Sequence, residues 1–566
     1  MTFSPRRDSE PQSGSFDRVP SNLDAETGLG QKKVEEATAF PRWLGSSRIT
    51  VGLFLGLILV YVLQVSPAWD ISSDAALYLC LARSLEAGEG YTYQDAPHAH
   101  AMPGLPLLLS GAMKLGWTES WQLKFVMLSI GLALCLSTWW LARLIADAAT
   151  ANLAVALIGL GEFNMRYSDR MLTEIPFTLL LVLVAICLTL AWRARQALSI
   201  WWASVAALIA SGSFLFRANG LAIFPGLFAW LWITVPVSAG RWKRALLAGL
   251  FCVCAVAPAA WWALRCQRCT REYSSTYLGG IAKRTPLARA VALVPNAGRG
   301  GWQAAATSCG FSEDGVLSSF NWRWLMIGPC VLGMALGSWL LLRRRDWLLP
   351  VLVGAQIALV SAYVSSERAS GLMGRYLGPV GPLACILVLV GFAHLLASGR
   401  RWLRYSLYLV LVAVLAARVG QAADDTFSEP GSAASRHRET DMNLGYYLRD
   451  QQRPLKVYYY FARNATWFSE GRHTICSLPR RLPDSAGAFP AFFCSRGGFD
   501  LLALRPEKNA QDAAVLAAAQ RMAAWKAFEL VEKRMPDKFG ARIFLIRRDR
   551  GGLRAPRPAG AAGADE

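Results

Sequence analysis

Charged side chains are scarce in this chain: Asp, Glu, Lys and Arg make up 17% of 566 residues, against 54% hydrophobic residues and a mean hydropathy of +0.29. That balance excludes a soluble protein of this size, because the apolar excess must face lipid. No cleavable signal peptide precedes the first apolar run, which is therefore expected to be the first spanning helix. No internal repeat is visible, which argues against a transporter built from two related halves. Cys266 and Cys269 stand in a CxxC spacing, but the second CxxC of a zinc ribbon is missing. The net charge is +20, yet the basic residues fall in short clusters between apolar stretches rather than on one face, which excludes a nucleic-acid partner and reads as membrane topology.

What the chain has in abundance fits that class. Its 22 Trp and 16 Tyr suit many helix ends at a bilayer interface, where a ring buries its body and keeps a polar edge wet. Apolar runs able to cross a membrane as helices fall near 49–65, 122–146, 150–163, 174–192, 200–216, 220–237, 245–263, 323–342, 347–364, 376–397 and 402–419, about eleven spans in all. Arg42 and Arg48, Arg143, Arg193 and Arg195, Arg241, Lys243 and Arg244, Arg343 to Arg345, and Arg400, Arg401 and Arg404 then mark alternate loops as cytoplasmic. The segments 66–121 and 264–322, the turns near 164–173 and 365–375, and everything after about residue 420 fall on the other side.

The expected organisation is a disordered cytoplasmic tail over 1–45, a transmembrane domain over 46–420, a small soluble α/β domain outside the cytoplasm over 421–550, and a disordered tail over 551–566. In the third part KVYYYF and ARIFLIRR read as strands and 509–531 as helix. Cys80, Cys266, Cys269, Cys309, Cys476 and Cys494 all fall on the expected outer side, where Cys476 could oxidise with Cys494. Asn464, Ala465 and Thr466 form a glycosylation sequon of the kind chance often produces.

The most informative stretch is residues 69–116. Ser72, Ser73 and Asp74 are helix-capping types, and Leu77, Leu81 and Leu85 follow at helical spacing with Arg83 and Glu86 opposite, which predicts a short amphipathic helix from Asp74. Gly88 and Gly90 end it, and Pro103, Gly104 and Pro106 open a second, apolar helix. The pair reads as one helix lying in the interface and one dipping back into the membrane. Asp70 and Asp74, where the first span leaves the bilayer, are either solvated caps or functional carboxylates.

Here the sequence resembles the C-type membrane glycosyltransferases, which include the protein O-mannosyltransferases and lipid A aminoarabinose transferases. The likeness rests on an acidic residue just after the first span, followed by Asp74, Tyr78, Ala82, Gly88, Gly90, Tyr91, Pro103, Gly104 and Pro106, and it extends over about 49–420. It implies an all-α polytopic fold carrying the α/β domain, and a catalytic acid/base at Asp74, with Asp70 the near alternative. It places a second carboxylate at Glu174 rather than Asp169, and a donor-phosphate ligand at Arg375, beside Tyr376 and before Pro379 and Pro382. Each has a plainer reading: Glu174 as a helix-dipole partner, Arg375 as a snorkelling interface residue.

Arg217, between two apolar runs, is equally a second phosphate contact or a turn residue. His98 and His100 could bind substrate, or with Asp95 hold a divalent cation, although an isolated HxH is common in solvated loops. The implied partners are a polyprenyl-phosphate-linked sugar donor, membrane lipids, and an acceptor that is protein, lipid or glycan. The implied place is a bacterial cell membrane, with an extracytoplasmic active site. An oligosaccharide ligase or polymerase, or a multi-pass transporter, remains as an alternative.

Overall fold

A computed structural model describes residues 40–65, 72–94, 96–99, 101–194, 196–224, 227–228, 241–270, 286–308, 323–344, 346–363, 375–397 and 401–427, together with five strands after residue 455. The first part is a helical bundle. Helix α1, Ser47–Gln64, begins where the Ser46 side chain accepts from Ile49 N at 3.4 Å. It buries only Leu57 and Tyr61, while Val51, Leu55, Leu59 and Leu63 point away from the protein, as a lipid-facing helix should. Tyr61 Oη donates to Gly159 O at 2.9 Å and so holds α1 against the helix that carries Gly159.

The first loop folds much as its sequence predicts. Helix α2 is Ser73–Glu86, with Ser72 Oγ accepting from Ala75 N at 3.2 Å, one residue earlier than the predicted start. Gly88 and Gly90 follow at φ 81° and 83°, a left-handed backbone that glycine takes without strain. A two-residue hairpin, β1 Thr92–Tyr93 and β2 Ala96–Pro97, then leads into helix α3, Gly104–Lys114.

The bundle continues through α4 (Ser120–Ile145), α5 (Ala148–Gly159), α6 (Glu162–Ser168), α7 (Glu174–Arg193), α8 (Gln196–Phe216), α9 (Arg241–Thr270), α10 (Pro286–Ser308), α11 (Arg323–Arg343), α12 (Leu348–Tyr363), α13 (Gly381–Ala397) and α14 (Arg401–Phe427). Five segments among the described residues are long and apolar enough to cross a membrane: α1, α4, α7, Leu198–Phe216 and Arg375–Ala397; the bent pair α5 and α6 makes a sixth. The protein is thus a multi-pass membrane protein, with α11 and α12 adding shorter apolar helices.

Three expectations change. The run 150–163 is not one span: α5 and α6 bend by 56°, because Gly161 takes an extended ψ of 136° and restarts the chain as a new helix. Of 220–237, the described part opens as a 3₁₀ turn, Ala218–Ala222, and most of the remainder lies outside the described residues. The segment 264–322 is not wholly a loop. It contains the last two turns of α9 and all of α10, whose Ala304, Ala305 and Ala306 are fully buried. Arg289, Asn296, Arg299 and Gln303 interrupt α10's apolar character, which hid it from a search for lipid-facing runs.

Helices α11 and α13 meet through glycine. A Cβ on Gly337 would overlap Leu387 O, one on Gly391 would overlap Gly333 O, and one on Gly333 would lie 2.7 Å from the Phe392 ring. Small residues at such a crossing let two backbones approach as bulkier ones cannot. Gly337→Val is therefore expected to cost about 1–3 kcal/mol by overpacking, read as a lower Tm of the solubilised protein. Gly52→Val on α1, where nothing lies within 4 Å, serves as the silent control.

After residue 455 the described strands are β3 (Lys456–Tyr459), β4 (Thr474–Ser477), β5 (Leu501–Leu504), β6 (Phe528–Lys533) and β7 (Ile543–Arg548). They form one mixed sheet in the order β4-β3-β5-β7-β6, parallel from β4 to β5 and antiparallel from β5 to β6. The strands read from KVYYYF and ARIFLIRR are present; the helix read over 509–531 gives way to β6 from Phe528, whose Phe, Leu and Val content favours a strand. Residues 509–527, both tails, the sequon at Asn464, Cys309 and Cys494 lie outside the described residues.

Candidate active site

Two packed faces fix α2. Ala75, Ala76, Leu79 and Ala82 bury against Leu105 and Leu109 of α3 and Leu123 and Met127 of α4, while Leu77 and Leu81 bury against Phe214, Ala259 and Trp262. Asp74 in the first turn is held in place by that packing. The Pro-Gly-x-Pro entry of α3 has a steric reason: a Cβ on Gly104 would stand 2.8 Å from Leu215 O, so only glycine lets α3 press on the end of α8. Arg217 leaves the chain immediately after that contact, as the residue before the 3₁₀ turn.

Three distant segments meet there. Arg375 Nη1 donates to Asp74 Oδ2 at 2.9 Å, and Arg375 Nε donates to Glu174 Oε1. Glu174 Oε1 also pairs with Arg217 Nη1 at 2.8 Å. The result is a chain of alternating charge, Arg217, Glu174, Arg375, Asp74, whose side chains are 8%, 0%, 29% and 37% exposed in that order. Its buried end is the Arg217–Glu174 pair and its accessible end is Asp74. A carboxylate as enclosed as Glu174 is tolerated where cations pair with it, and it has two: Arg375 by a hydrogen bond and Arg217 by an ion pair.

Tyr376 and Tyr78 line the same place. Arg217 Cζ lies 5.1 Å from the centroid of the Tyr376 ring, a cation–π contact. Burial, with the nearby Glu174 and Asp74 carboxylates, pushes the Tyr78 phenol up to about 12, so it remains a proton donor at neutral pH. Two residues that the sequence reading passed over tie the segments together. Asn219 Nδ2 donates to Tyr376 O at 3.5 Å, and Gln356 Nε2 of α12 donates to Asn219 O at 3.1 Å.

Other expected positions are occupied differently. Asp169 pairs with the wholly buried Lys124 of α4 at 3.3 Å rather than with the Arg375 cluster, which separates it from Glu174. A lysine within the apolar run of α4 was the signal available for that pair. His98 Nε2 accepts from Ala101 N at 3.0 Å and its ring sits against Tyr91 and Tyr93, so it braces the first loop. Asp70, Asp95 and His100 lie outside the described residues. Among the described residues no group of three or more His, Cys, Asp or Glu is arranged to hold a metal ion. Cys266 Sγ donates to Ala99 O at 2.9 Å and forms no disulfide with Cys269.

No protein-family model and no curated protein matches the sequence. Solved structures do. Apo ArnT from Cupriavidus metallidurans superposes with a TM-score of 0.56 at 14% identity, over 88% of this chain and 98% of that one. The same enzyme bound to undecaprenyl phosphate gives 0.54 at 14% identity over the same shares. The Archaeoglobus fulgidus oligosaccharyltransferase AglB, in complex with an inhibitory peptide and a dolichol-phosphate, gives 0.54 at 12% identity, over 90% of this chain and 75% of that one. At such identities the likeness is one of fold: this membrane protein shares the fold of ArnT and AglB.

Proposed function

We infer that the chain is an inverting glycosyltransferase that moves a sugar from a polyprenyl phosphate to an acceptor hydroxyl of a protein, lipid or glycan on the extracytoplasmic side of the membrane. The observation that carries this reading is Arg375 held between Asp74 and Glu174. Its planar fork matches phosphate oxygens and stays charged when half buried. A donor phosphate arriving at Arg375 competes with Asp74 and frees that carboxylate to act as a base.

The chemistry follows. Asp74 accepts the proton of the acceptor hydroxyl, whose oxygen forms a bond to the anomeric carbon from the face opposite the phosphate. The bond from that carbon to the phosphate oxygen breaks, and the lipid phosphate leaves with the electron pair beside Arg375. Glu174, anchored by Arg217, aims Arg375. Tyr78 offers a further donor. A lipid-borne donor suits the location because nucleotide sugars are scarce outside the cytoplasm. ArnT with undecaprenyl phosphate and AglB with dolichol-phosphate support a lipid phosphate as the ligand.

Purified protein incubated with labelled polyprenyl-phosphate sugars and membrane extract is expected to transfer label. Arg375→Ala should weaken donor binding by about ten- to a hundredfold, the worth of charge-assisted hydrogen bonds to one guanidinium. Transfer only from a lipid diphosphate oligosaccharide would replace this reading with a ligase or polymerase.

A further inference from the structure

A row of buried, neutral polar side chains lies beside Tyr376 and Leu377. On α10, Gly300 packs so tightly that a Cβ would lie 3.1 Å from both Ile357 and Ser361 of α12 and 3.5 Å from Leu377; two helical turns along, Thr307 lies 3.1 Å from where a Cβ on Gly381 would stand. Gln303, between those two contacts, is 1% exposed, and neither its amide nitrogen nor its amide oxygen has a partner among the described residues. Gln356 is also 1% exposed. Its Nε2 is used by Asn219 O, but its Oε1 is open, as is the hydroxyl of the wholly buried Ser361. Asn219 connects this row to Tyr376 O.

Leaving an amide buried and unpaired is costly, so native proteins keep such groups where something pairs with them. Two amides and a hydroxyl with open donor and acceptor sites match the hydroxyl groups of a carbohydrate. The row itself, Asn219, Gln303, Gln356 and Ser361, contains no charged side chain. We propose that this amide row, joined to Tyr376 through Asn219, recognises the hydroxyl groups of the donor's sugar and selects a neutral sugar over an amino sugar or a uronic acid. The proposal rests on the donor reading above, in which the phosphate attached to that sugar sits at Arg375. An ammonium or carboxylate on the sugar would enter a buried place with no counter-charge in the row, which is strongly disfavoured.

The test uses the full-length protein in nanodiscs and two measurements: affinity for undecaprenyl phosphate alone, and affinity for undecaprenyl-phosphate-linked neutral hexose, neutral pentose, amino sugar and uronic acid. Wild type is expected to bind a neutral-sugar conjugate at least tenfold more tightly than the bare carrier. Gln303→Leu should remove that increment and leave the affinity for the bare carrier unchanged, since the Gln303 amide bonds, among the described residues, to nothing that holds Tyr376 or Arg375. If the amide were only packing, exchange for leucine of similar size would leave both affinities unchanged and hold or raise Tm, and the proposal would be overturned. Gln303→Asn, which keeps an amide, should retain part of the increment. A preference for the amino or acidic sugar also overturns the proposal. Failure of wild type to bind any of the lipids overturns the donor reading and this inference together, whereas binding with selectivity untouched by the leucine exchange overturns this inference alone.

Discussion

Asp74→Asn is expected to lower the transfer rate by about 10²–10⁴-fold, the usual worth of a positioned general base, while the protein still folds and inserts. Asparagine keeps the shape and can still accept the Arg375 hydrogen bond, but it cannot take a proton. Stability should change little, because the Asp74–Arg375 pair is partly exposed to solvent on both sides and such pairs contribute about 1 kcal/mol or less. Transfer rates from a labelled lipid-phosphate sugar, beside the Tm of the same preparation, check both halves. Wild-type rates in the variant would remove Asp74 from the chemistry and move attention to Asp70.

Glu174→Ala should act the opposite way, on stability first. Glu174 is completely enclosed and shares one oxygen between two guanidiniums, so its removal leaves Arg217 buried at 8% exposure without its anion. Breaking a buried pair by deleting one member typically costs about 3–5 kcal/mol. Removing both charges with Glu174→Leu and Arg217→Leu should be milder than Glu174→Ala alone, because no uncompensated charge remains. Thermal unfolding monitored by size exclusion orders the variants. A single variant as stable as wild type would mean that Arg217 reaches water, contrary to its burial.

The site was partly legible because its members are unusual where they stand. A carboxylate at the first turn of an interfacial helix, another at the head of an apolar run and an Arg-Tyr pair before prolines each break a lipid-compatible pattern, and the chain brings Asp74, Glu174 and Arg375 into contact from positions 74, 174 and 375. Asn219 and Gln356 were not legible. Neutral amides at turn and helix positions carry no sequence signal until the fold shows that they bond to one another. Helix α10 was missed for a related reason: its Asn296 and Gln303 line a buried seam, whereas hydropathy alone treats polar as wet.

Helix α1 fully buries only Leu57 and Tyr61, yet it is the span that leads into α2 and Asp74. Such an element takes its tilt from the thickness of the surrounding hydrocarbon as much as from protein contacts. A thin micelle should therefore disturb this helix before the rest of the bundle. Reconstitution into bilayers of graded acyl-chain length is then a way of adjusting the Asp74 end of the bundle without altering a residue.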